Sequence, residues 1–97
     1  MLRIYKYDLK TTSEQTIGLP VGAKVLSAIN QRGSIVLYAL VDDDLATPTA
    51  VYRVSIRGTG HLAESVKDTP FVGTVSLLNG ELILHVFGKF CEEEAQC

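Results

Sequence analysis

Phe71-Val72-Gly73-Thr74-Val75-Ser76-Leu77-Leu78-Asn79-Gly80-Glu81-Leu82-Ile83-Leu84-His85-Val86-Phe87 holds two β-like runs on either side of Asn-Gly. Asn and Gly both tolerate positive φ, which both central residues of a type I′ turn require, and that turn matches the twist of two antiparallel strands. The stretch therefore predicts a hairpin, with strands over 71–78 and 81–87.

The same period of two recurs upstream. Tyr52, Val54 and Ile56 alternate with Val51, Arg53, Ser55 and Arg57, so residues 50–56 read as a half-buried strand with both arginines on its more polar face. Residues 25–29 and 35–41 flank the polar connection Asn30-Gln31-Arg32-Gly33-Ser34 and predict a second hairpin, with Gly33 free to take positive φ. Ile35-Val36-Leu37-Tyr38-Ala39-Leu40-Val41 is apolar on both faces and reads as a central strand. Residues 2–8 and 15–19 supply further strands, and Pro20-Val21-Gly22 a turn. Asp42 to Thr49 is a loop, because Asp and Thr compete for backbone groups and Pro48 lacks a ladder N–H. One short helical turn is expected after Gly60, within residues 62–68. About seven strands with short connections imply an all-β domain, a small antiparallel sandwich or a partly open barrel.

The chain has 97 residues, 46% of them hydrophobic, which suits one domain over 1–90 followed by an acidic, flexible tail over 91–97. Formal charge is −2, and the nine Lys and Arg are scattered, so no long nucleic-acid track is expected. Neither a signal-peptide pattern nor an apolar run of spanning length is present in this sequence, and both cysteines, Cys91 and Cys97, fall in the acidic tail instead of stapling the strands. These features predict a cytoplasmic protein with no membrane association.

Chemistry concentrates at Arg57-Gly58-Thr59-Gly60-His61. Glycines at positive φ could turn backbone N–H groups toward one point, with Arg57, Thr59, His61 and, on the same strand face, Arg53 adding donors for an anion. The same five residues also make an ordinary turn. Tyr5 and Tyr7 share a face with Arg3 and could stack on a base, or serve as strand wall residues with the ring buried and the hydroxyl wet. His85 alternates with Ile83 and Phe87, as a hydrogen-bonded sheet residue would. No nucleophile elbow accompanies either histidine, Asp42-Asp43-Asp44 lacks the alternation and glycine of a calcium loop, and the cysteines lack zinc spacing. The expectation is a protein that is not an enzyme and carries no metal or cofactor.

Ile4-Tyr5-Lys6-Tyr7, Glu14-Gln15-Thr16-Ile17 with Leu19-Pro20, Gly22-Ala23-Lys24-Val25-Leu26-Ser27, Ala39-Leu40-Val41-Asp42, Gly58-Thr59-Gly60-His61, Gly73-Thr74 and Leu84-His85-Val86-Phe87 run in an order that resembles a family of small uncharacterised bacteriophage and prophage proteins. The resemblance implies phage origin and action in the host bacterial cytoplasm, and transfers no catalytic residue; the segment after Phe87 departs from it. Phage proteins of this kind often block host defence, by sequestering a nucleotide immune signal or by covering a host protein.

Two functions follow as expectations. The first is capture of a small anionic, nucleotide-like ligand by Arg53, Arg57, Gly58, Thr59, Gly60, His61, Tyr5 and Tyr7. A drug-sized pocket of roughly 300 to 1,000 Å³ is hard to enclose in so small a domain, so the ligand would sit between chains of a homo-oligomer. On this reading Arg57→Ala weakens capture and leaves folding intact. The second is a protein–protein interaction module acting through a sheet edge or the loop, blocking a host protein or serving virion assembly, without a small ligand.

Overall fold

Seven strands follow one another as β1 (Leu2–Leu9), β2 (Glu14–Pro20), β3 (Lys24–Gln31), β4 (Ser34–Asp42), β5 (Thr49–Gly58), β6 (Phe71–Leu77) and β7 (Leu82–Phe90) in a computed structural model that describes residues 1–91. The acidic run from Glu92 and Cys97 lie outside the described residues. Two antiparallel sheets form, β1-β4-β3 and β2-β5-β7-β6, so the expected all-β fold is a sandwich. The expected helical turn is a single 3-10 turn, Glu64–Val66.

Alternation places the core. Ile35, Leu37, Ala39 and Val41 point from β4 toward Leu19, Tyr52, Val54, Ile56, Val75, Leu84 and Val86 of the other sheet, and all are buried. β4 is central in its sheet, as its doubly apolar sequence predicts: Val36, on the opposite face, is only 1% exposed although it lies outside the shared core. The sheets approach most closely where β3 meets β6. A Cβ on Gly73 would lie 2.9 Å from the Ala28 carbonyl oxygen, and the Asn30 side-chain amide donates to the Ser76 carbonyl at 2.8 Å across the gap. No strand pair joins the sheets there, which separates this fold from a closed barrel.

The Asn79-Gly80 turn forms as expected: Asn79 sits at φ 55, ψ 36, Gly80 at φ 90, and the Glu81 N–H donates to the Leu78 carbonyl at 3.1 Å. Leu78 also takes positive φ, so each strand stops one residue short of its expected end, at Leu77 and Leu82. The other hairpin is tighter than its composition suggests. Arg32 and Gly33, at φ 55 and 86, form a two-residue turn between the paired Gln31 and Ser34. Asn30, expected in the connection, belongs to β3, and its side-chain oxygen accepts from the Gly33 N–H at 2.8 Å. Pro20, Val21 and Gly22 turn as predicted, with the Ala23 N–H donating to the Pro20 carbonyl at 3.0 Å and Gly22 at φ 84.

Candidate functional site

The arginines lie on the outer face of the four-stranded sheet, where the antiparallel pairing of β2 with β5 sets Glu14 opposite Ser55, between Arg53 and Arg57. One Glu14 carboxylate oxygen accepts from both guanidinium groups at 3.0 Å, and the other accepts from the Ser55 hydroxyl at 2.6 Å. Arg57 also donates to the Ser13 carbonyl at 2.7 Å, to its neighbour's carbonyl at Ile56 at 2.9 Å and to the Ser65 hydroxyl at 2.8 Å. Its side chain is 14% exposed. An internal carboxylate thus holds the position that a ligand anion would take, and Arg57 ties β5 to β2, to the β1–β2 connection and to the 3-10 turn. Burial alone would push the Glu14 carboxyl up, but the hydrogen bonds from Ser55, Arg57 and Arg53 outweigh it and hold it below the usual carboxylate range.

The glycine segment does not form a nest of free donors. Gly58 ends β5 opposite Leu84, without positive φ. The Thr59 N–H points to the Ile83 carbonyl at 3.4 Å, and the His61 N–H donates to the Gly58 carbonyl at 3.0 Å, closing a β-turn in which Gly60 takes φ 86. Of the two expected positive-φ glycines, only Gly60 is one, and at least two of the turn's donors are spent on protein carbonyls. The His61 ring folds onto Gly58, whose missing Cβ would lie 2.8 Å from it. Thr59 instead serves the outer face. Its hydroxyl meets His85 Nε2 at 2.8 Å, while Thr74 meets Nδ1 at 3.1 Å, so His85 is the hydrogen-bonded sheet residue that its alternation predicts.

His61 does line a shallow cleft of about 170 Å³ at one end of the sandwich, with Thr11, Thr12, Ser13 and Gly58 around it and Ile56 and Leu84 beneath. The three hydroxyl residues form a run in the sequence, but only the fold brings them to His61. The cleft falls short of the roughly 300 Å³ at which drug-sized sites begin.

Tyr5 and Tyr7 lie apart from all of this, on β1 of the other sheet. They share a face with Arg3 as expected, but the structure does not bring that face to Arg53 and Arg57. Arg3 is paired with Asp43. Tyr5 is 44% exposed and Tyr7 half-buried, with burial holding the Tyr7 hydroxyl above its ordinary pKa. The eight residues expected to form one site therefore separate into an arginine–glutamate cluster, a turn beside a small cleft, and an exposed edge strand.

The edge strand is what residue-by-residue reading misses. Among the described residues β1 pairs only with β4, over Leu2 to Leu9, with no shift in register. Met1 faces Asp43, and its carbonyl accepts from the Asp43 N–H at 3.0 Å; antiparallel alternation then turns the N–H and C=O groups of Leu2, Ile4, Lys6 and Asp8 away from β4. The signal available in the sequence is that β1 alternates Leu2, Ile4 with Tyr5, Tyr7 and so carries large apolar bodies on both faces.

Among the described residues no three His, Cys, Asp or Glu side chains gather as metal ligands, and no helix is long and apolar enough to cross a membrane. Cys91 is disulfide-bonded. Comparison with curated proteins and with solved structures gives no match. A family model does match, over residues 1–96: the chain belongs to the family described as Domain of unknown function (DUF7352).

Proposed function

We propose that this chain is a non-catalytic protein–protein interaction module that takes up an extended polypeptide segment by strand addition at β1. One observation carries the reading: β1 offers an unbroken row of backbone donors and acceptors that no other strand among the described residues pairs. Main-chain hydrogen bonding at such an edge supplies affinity, and side chains alternating on its two faces supply selectivity. The phage resemblance supplies the setting, the cytoplasm of an infected bacterium.

A panel of extended peptides titrated into isotope-labelled protein tests this. Binding at the edge perturbs and protects the amides of Leu2, Ile4, Lys6 and Asp8 ahead of those of β6. If no peptide of any sequence moves them, and they exchange as freely as unstructured amides, strand addition is wrong.

A second reading, capture of a phosphate-sized anion, is favoured by the hydroxyls of Thr11, Thr12 and Ser13 lining one cleft with His61. The base and sugar of a nucleotide-like ligand would lie outside that cleft, between chains. Calorimetry with inorganic phosphate and with cyclic dinucleotides separates the readings: heat abolished by His61→Ala supports capture, and silence across the panel removes it.

A further inference from the structure

The sandwich has four edge strands, β1 and β3 in one sheet and β2 and β6 in the other. Three are blunted. β3 has a register shift between Val25 and Ser27, β6 one between Phe71 and Gly73, and the two lie against each other where Gly73 meets Ala28. β2 carries Gly18 and ends in Pro20, which has no N–H to offer. Bulges, prolines, mutual cover and edge lysines are among the devices by which natural sheets refuse edge-to-edge pairing. Among the described residues β1 has no bulge, proline or cover, and its one lysine is Lys6.

We infer that the polypeptide taken up at β1 is the β1 strand of a second copy, paired antiparallel about a twofold axis through Tyr5. This rests on the strand-addition reading above and names its partner. Side chains opposite one another in an antiparallel pair share a face, so a symmetric register must centre on a residue, and four choices overlap appreciably. Centring on Lys6 sets two ammonium groups directly opposite, which is destabilising. Centring on Ile4 or Tyr7 leaves edge-facing residues at one end of the strand unpaired within β1. Centring on Tyr5 engages all four edge-facing residues: Ile4 with Lys6 of the second copy, Leu2 with its Asp8, and the reciprocal pairs.

No like charges stand directly opposite in this register. On the other face Arg3 falls opposite Tyr7 of the second copy, where a guanidinium and a ring attract. The two Tyr5 side chains meet at the axis as a non-hydrogen-bonded pair, the closer of the two antiparallel spacings, which suits aromatic contact. The product is one continuous six-stranded sheet. Its outer face carries Leu2, Ile4 and Ile29 of both copies, which are 65%, 60% and 43% exposed in the single chain.

Sedimentation of the full chain across a concentration series, with cysteine cross-linking, tests both the dimer and its register. Dimer is expected, and Ile4→Pro, which removes an edge-facing N–H not used in pairing with β4, should weaken it roughly tenfold or more. Thermal melting of Ile4→Pro checks that the monomer remains folded. In the folded full chain, Tyr5→Cys should yield a disulfide-linked dimer under mild oxidation, because Cα atoms at a non-hydrogen-bonded pair fall within disulfide reach. Lys6→Cys should cross-link to Ile4→Cys in a mixture and not to itself, with the parent chain as the control for its own cysteines. A monomer at every concentration, or cross-linking by Lys6→Cys alone but not Tyr5→Cys, overturns the inference. If the chain stays monomeric while the peptide panel still protects Leu2, Ile4, Lys6 and Asp8, self-pairing fails and strand addition stands; if neither occurs, both fail.

Discussion

Arg57 and Arg53 are near-equivalent in sequence, four apart on one strand face, yet the fold gives them different work. Arg57 is held by the Glu14 carboxylate, two backbone carbonyls and a hydroxyl, at 14% exposure, whereas Arg53 shares only the carboxylate and is 34% exposed. Arg57→Ala should therefore cost about 1–2 kcal/mol, by removing the donor that four partly solvated acceptors share, and Arg53→Ala under about 1 kcal/mol. This reverses the expectation from sequence that Arg57→Ala spares folding, and urea denaturation of both variants decides it. If the two lose equal stability, Arg57 is not the tie described. Glu14 adds a pH dependence. Its folded pKa is depressed, so its contribution is fully present above the unfolded carboxylate pKa of about 4.3 and is lost as pH falls through the folded value. Glu14→Gln should narrow the stability gap between pH 7 and pH 3 relative to the parent, while solvent screening of the half-exposed group keeps the effect to about 1 kcal/mol. An unchanged gap in urea titrations at the two pH values would remove Glu14 from the acid response.

At the scale of elements, what was legible in the sequence is what local pattern controls. Strand faces follow from alternation, so Tyr52, Val54 and Ile56 could be assigned to the core and Arg53 and Arg57 to the outer face without knowing their neighbours. Asn79-Gly80 announces its turn because the two residue types supply the φ values directly. Arg32-Gly33 forms a comparable turn with only one such residue, aided by the Asn30 side chain, and that assistance has no local signature. Glu14 was illegible as a site residue for another reason. It reaches the arginines only because β2 leaves β1 behind and joins the other sheet beside β5, a pairing decided by which apolar faces bury together and not by any nearby residue. The same non-local logic gives Gly73 its meaning. A methyl there would lie 2.9 Å from the Ala28 carbonyl oxygen and 3.2 Å from its nitrogen, both backbone atoms that cannot swing aside. Gly73→Ala should therefore force β6 away from β3 and destabilise the protein by about 1–3 kcal/mol, whereas Gly33→Ala, with open space around it, should show only the smaller cost of positive φ. Thermal melts that rank the two the other way would mean that the contact between β3 and β6 gives easily.

For the whole molecule, the distribution of buried residues makes stability uneven. The body measures 42 × 31 × 17 Å, with a short axis suited to two stacked sheets, so little interior lies far from an edge. Leu37 and Ala39 of β4, Val54 of β5 and Val86 of β7 are fully buried where the sheets face each other, while β1 contributes Leu9 to the core and packs Tyr7 against it. Detaching β1 from β4 thus exposes less apolar surface than separating β4 or β5, which opens the shared core. In a dilute, monomeric sample the β1 amides that bond to β4, those of Arg3, Tyr5 and Tyr7, should exchange by local opening at rates at least tenfold above those of central β5 and β7, a gap of about 1.4 kcal/mol or more. Raising the protein concentration should slow exchange along β1 selectively if its edge is the pairing surface, because a docked strand must leave before β1 can open. Native-state hydrogen exchange at two concentrations reads both effects. Equal protection of β1, β5 and β7 in dilute solution would place β1 inside the global unfolding unit, and an edge whose departure requires unfolding the entire sandwich would be a rigid template, not a loosely held strand.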